Sequence, residues 1–184
     1  MTPMTTNEQL DITKLLHEAI DLELAADDAY ELLIGPETRQ QTVYLQLDLQ
    51  LSRFADLAGW ADVLQTGQPA SHRQLTAQYV KVLALFLLFS AKRQWTHLVV
   101  LSAEQWQRIV DAKKQDQLAE LNREYLAIKN LLNGAYVSRH QEDLRHAWHL
   151  LLKLGIVDFG ISPAEITSAY QQLVTTANQQ FNQH

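Results

Sequence analysis

The chain predicts an all-α fold, a single-domain bundle of six or seven helices, and three observations carry that expectation. Glycine and proline are scarce, 6 and 4 in 184 residues, and fall between longer runs: Gly35-Pro36, Gly67 with Pro69, Gly134, Gly155, Gly160 and Pro163. Four segments open on a serine followed three residues later by Gln or Glu: Ser71 with Gln74, Ser102 with Gln105, Ser138 with Gln141, and Ser162 with Glu165. In that capping box each side chain satisfies a backbone N–H that a helix start leaves orphaned. Apolar residues recur at the helical period of about 3.6.

These signals predict helices over 11–34, 37–59, 71–95, 103–112, 115–133, 138–154 and 163–181, with residues 1–9 flexible. In the first, Ile12, Leu15, Leu16, Ala19, Leu22, Ala26, Tyr30 and Leu33 form one apolar stripe. The third, from Val80 to Phe89, is apolar nearly all round apart from Lys81 and Ala84. A helix of that kind must be covered all round, which makes it the central helix or one that reaches a second subunit. The run Leu98-Val99-Val100-Leu101 reads as a buried connection, because an isolated strand is marginal. Pro163 at a first helical position fits the last helix, since its missing N–H has no partner there anyway.

Composition narrows the function. Fifteen Lys and Arg against 21 Asp and Glu give a net charge of −6, which argues against DNA or RNA as a partner. No run approaches 18 apolar residues, and the opening MTPMTTNEQLDITK lacks the form of a signal peptide, so no membrane role is expected. The absence of cysteine excludes disulfides and thiolate chemistry and fits a reducing cytoplasm. No P-loop, GxGxxG, HExxH or GxSxG motif is present. Trp60, Trp95, Trp106 and Trp148 read as core or interface anchors rather than base-stacking platforms.

Two constellations stand out. Asp21, Glu23, Asp27, Asp28 and Glu31 include the i,i+3 and i,i+4 pairs that let carboxylates share a divalent cation. Asp21, Asp28 and Glu31 fall opposite the apolar stripe, as a solvated face does, whereas Glu23 projects within the stripe and needs a basic partner or a wet cavity. His146 and His149, at i,i+3, have the spacing of a zinc or nickel pair but no third ligand.

Three stretches together carry a resemblance. They are LQLDLQLSRFADLAGW (45–60), AQYVKVLALF (77–86), and GISPAEITSAY (160–170) followed by Asn178-Gln-Gln. With the opening ITKLLHEAIDLEL (12–24), they resemble in order the dimeric all-α dUTP diphosphatases, within the MazG-like NTP pyrophosphohydrolases. The resemblance implies a homodimer. It also implies a Mg²⁺ site in which E-x-x-E on one helix faces E-x-x-D on the next, cleaving a nucleoside triphosphate to monophosphate and pyrophosphate.

At those four positions this chain carries Gln46, Leu49, Gln78 and Lys81, so the family's −4 becomes +1. With an amine about 4 Å from a dication and an effective dielectric of about 20, the repulsion is about 8 kcal/mol. The family's terminal Lys and Arg align with Gln172 and Phe181, only Asn178 stays in register, and its first-helix Gln aligns with Ala19.

The expectation is therefore a non-catalytic homologue with no resident metal or other cofactor, acting as a dimeric interaction protein or as a metal-independent nucleotide binder. In the binder, Arg53 and Lys81 meet phosphate directly, with Glu23 and Asn178 as further candidate contacts. In the interaction protein, Lys81 pairs with Glu23 and fills the old pocket. The alternative is an active dUTP or related (d)NTP pyrophosphohydrolase drawing its acids from Glu23, Asp27 and Asp48.

Overall fold

Each predicted helix forms, and the differences lie at the ends. The computed structural model describes residues 8–183. Its helices are α1 (Ile12–Tyr30), α2 (Pro36–Ala58), α3 (His72–Lys92), α4 (Ala103–Val110), α5 (Leu118–Val137), α6 (Gln141–Lys153) and α7 (Pro163–Phe181). No strand occurs among the described residues. The expected flexible stretch 1–9 lies outside them as far as residue 7. Gln9 is anchored, its Nε2 donating to the Leu101 carbonyl at 3.1 Å.

Three of the four capping boxes form, at Ser71, Ser102 and Ser162. The fourth does not. Helix α5 runs through Gly134 to Val137, so Ser138 closes α5 and α6 begins at Gln141 behind His140. Gly134 lies inside α5, and the Asp143 side chain packs where a Cβ at this position would be. Helix α1 also stops early, at Tyr30, where Glu31 takes a left-handed conformation with φ 49° and its N–H bonds to the Asp27 carbonyl.

Helix α3 is the centre of one layer, packed against α1, α2 and α7. Val82, Leu83, Phe86, Leu87 and Phe89 are fully buried by the chain itself. The apolar character of 80–89 is thus accounted for without a second subunit. By length and composition His72–Lys92 is apolar enough to cross a bilayer, yet 67% of its most apolar window is buried within the bundle. Residues 98–101 form the buried connection, with Leu98, Val99 and Leu101 inside and Val100 out.

Helices α5 and α6 pair to form the second layer, with α4 laid on α6. Trp148 of α6 is fully buried against Phe86, and its Nε1 donates to the Val99 carbonyl at 2.9 Å. Between α2 and α5 the contact is a polar and aromatic seam. Lys129 bonds Asp48 and also donates to Ser52 Oγ at 3.1 Å, and Tyr44 stacks on Tyr136 at 4.1 Å. After α6 the helix widens into one π turn at Leu154–Asp158.

Candidate functional site

Helices α2 and α3 lie side by side, and their facing stripes, walled by α1 at one end and α7 at the other, enclose adjoining depressions. A groove of 310 Å³ is lined by Gln46, Gln50 and Arg53 of α2, by Lys81, Ala84 and Leu85 of α3, and by Leu173 of α7. It is therefore the i, i+4, i+7 face of α2 that points inward, and Leu49 is turned out, half exposed to solvent. Gln78 is buried, its Nε2 donating to the backbone carbonyl and Oε1 of Gln50 at 2.9 and 2.8 Å. Of the four positions at which the resemblance implies metal ligands, Gln46 and Lys81 share the groove, Gln78 is tucked behind it and Leu49 leaves it.

Lys81 does not pair with Glu23. Lys81 is exposed, and among the described residues no carboxylate lies within 4.0 Å of Lys81 or of Arg53. Glu23 is held by Lys92, three turns further along α3, and by Arg39 of α2 at 3.5 Å. Arg39 bonds Asp27 at 2.6 Å as well, and its Nη2 donates to the Leu32 carbonyl at 3.3 Å. The Asp27 carboxylate raises the guanidinium pKa further, against the opposing effect of burial. The four side chains Glu23, Asp27, Arg39 and Lys92 sum to zero charge.

This cluster closes one side of a second depression, an apolar recess of 260 Å³ whose lining includes Leu22, Ala26, Ile34, Val43 and Leu88. Ala84 and Leu85 line both it and the cationic groove, so the two adjoin. Ala19 lines the recess too. On the other side, Lys81 and Leu173 connect the groove to a cleft of 480 Å³ between α3 and α7, which includes Arg73, Gln172 and the pair His72–Glu165 at 3.0 Å. The Ser162 amide and hydroxyl, donating to Glu165 within its capping box, hold that carboxyl below the usual range.

Asn178 is not part of this site. It lies about 140° around α7 from Leu173 and is exposed. Nor do Glu23, Asp27 and Asp48 converge: Arg39 and Asp48 sit about 180° apart on α2, and Asp48 faces α5 through Lys129. No group of three His, Asp or Glu among the described residues is arranged to hold a metal ion. His146 and His149 line a separate 440 Å³ cavity with Arg108 and Arg145 of α4 and α6. Burial lowers the His149 pKa, and the neighbouring His146 and Arg145 add to that effect.

Gln50, Arg73 and Leu173 are site residues that the sequence reading missed. The signal for Gln50 was its i,i+4 spacing from Gln46. No protein-family model, curated protein or solved structure matches the chain.

Proposed function

We propose that the α2–α3–α7 groove binds a phosphorylated small molecule directly on Arg53 and Lys81, without a metal and without turning it over. One observation carries this reading: two cations line one open groove with no carboxylate bound to either. A cation that pairs with nothing inside the protein is available to an anion, and a phosphate accepts charge-assisted bonds from both kinds of donor. Arg73, in the connected cleft, extends the positive lining. The resemblance to the dUTP diphosphatases makes a nucleotide the first class to try, and replacement of the carboxylates at positions 46, 49, 78 and 81 is the ground for omitting catalysis. It also implies a homodimer, a proposal that sedimentation at micromolar concentration tests.

The test is a thermal shift with dUMP, dUTP and inorganic pyrophosphate in EDTA, at low and high salt. The expected result is stabilisation that salt weakens and that Arg53→Glu or Lys81→Glu removes. Because Lys81 is exposed and unpaired, Lys81→Glu itself should change stability by less than about 0.5 kcal/mol. Release of pyrophosphate from a nucleotide panel with Mg²⁺ or Mn²⁺, abolished by Glu23→Gln, would overturn the non-catalytic reading.

A further inference from the structure

We infer that the preferred ligand is an amphiphilic anion, a phosphate monoester of an alkyl chain, with its head on Arg53 and Lys81 and its chain in the adjoining apolar recess. This rests on the metal-free anion reading and names the body of the ligand.

The recess decides the class. Its polar side chains are Glu23, Asp27, Arg39 and Thr42, and every one is already engaged. Glu23 and Asp27 hold Arg39, Lys92 takes the other Glu23 oxygen, and the Thr42 hydroxyl donates to the Thr38 carbonyl at 2.8 Å. The Gln50 amide oxygen beside the recess is committed to Gln78. The lining is mainly aliphatic and its polar side chains are each already bonded within the protein, so most of a nucleobase's donors and acceptors would face apolar surface there, which is costly. A methylene chain brings no such groups and gains from leaving water. The space itself comes from small side chains, Ala19, Ala26 and Ala84, set among Leu22, Val43 and Leu88.

The ends of the trough are also electrically distinct. At the recess end two cations are cancelled by two carboxylates, while at the groove end Arg53 and Lys81 are not cancelled. On α3 the stripe Lys81, Ala84, Leu85, Leu88 runs from the cationic end into the apolar end over about 10 Å. A charged head and an apolar tail therefore have one orientation in which both are matched.

The experiment is calorimetric titration of the full chain in EDTA with inorganic phosphate, butyl, hexyl and octyl phosphate below their micellar concentrations, dUMP, and uncharged octyl glucoside. The expected result is affinity rising with chain length, by up to about fourfold per methylene, with octyl phosphate tighter than dUMP and octyl glucoside not bound. Ala26→Leu, which fills the recess from the α1 wall and does not line the cationic groove, should flatten the length dependence and leave inorganic phosphate binding unchanged. Arg53→Gln and Lys81→Gln should weaken all the phosphates by a common factor. The wild-type series stands even where a variant fails to fold. Octyl phosphate binding no tighter than inorganic phosphate overturns the inference, and dUMP binding in that case leaves the anion reading intact. Octyl glucoside binding as well as octyl phosphate overturns the role of the head. No binding by any phosphate overturns both readings together.

Discussion

Single residues decide what the trough offers, and the cluster around Glu23 is the clearest case. A carboxylate within an apolar stripe needs a cation, and here it has two, Arg39 and Lys92. The azimuth expected from the sequence was sound but the level was not. Lys81 and Lys92 are eleven residues apart, about three turns, and so fall on nearly the same face of α3. Periodicity fixes the face; which turn meets α1 depends on how far the helices slide along one another. Arg39→Ala leaves Asp27 without its cation, and should cost about 1–3 kcal/mol in urea unfolding, with Asp27→Asn recovering part of the loss. A second buried charge group sets a pH response. Lys153 bonds Glu124 at 2.6 Å and Asp158 at 2.9 Å, and burial pushes the Glu124 carboxyl up to about 7. Its ordinary value is 4.5, so between about 4.5 and 7 the folded form holds a proton that the unfolded chain has lost. This group therefore favours folding at the acid side of that window and loses that contribution as pH rises through 7. The expected outcome is a wild-type Tm that falls from pH 5.5 to 8 more steeply than that of Glu124→Gln.

At the scale of elements, helix identity was legible because the caps are local: a serine and a Gln or Glu three residues on need nothing from the rest of the fold. Ser138 shows where that stops, since a glycine can end a helix or sit inside one, and Gly134 is inside α5 with Asp143 packed over it. The π turn at Leu154–Asp158 was not legible at all. Packed against it is a residue some seventy positions earlier, Tyr79, whose ring occupies the place of a Gly155 side chain and whose hydroxyl donates to the Leu151 carbonyl at 2.9 Å. Gly155→Ala should therefore destabilise by about 3 kcal/mol, read from the denaturation midpoint, and Tyr79→Leu in the same chain should relieve part of that loss. The groove was half legible for a related reason. The two helices pack side by side, but the choice between 49 and 50 as the inward residue turns on about 100° of helix rotation, which packing sets.

Across the whole molecule, the layer built on α3 is dense and the α2–α5 seam is polar. Backbone amides of residues 79–90, on a helix covered on every side but one, are expected to exchange slowest in native-state hydrogen exchange, with those of the 59–70 connection among the fastest. The Tyr170 hydroxyl on α7 donates to the Leu15 carbonyl on α1 at 2.8 Å, across 155 residues of sequence. On a ribosome adding about 5–20 residues per second, one flank of the first helix stays wet for about 8–30 s after it emerges, until the helix that covers it has been made. Through that interval Leu15 and Leu16 are open to solvent on that side, and a nascent chain stalled before residue 163 offers a chaperone an unfinished apolar edge.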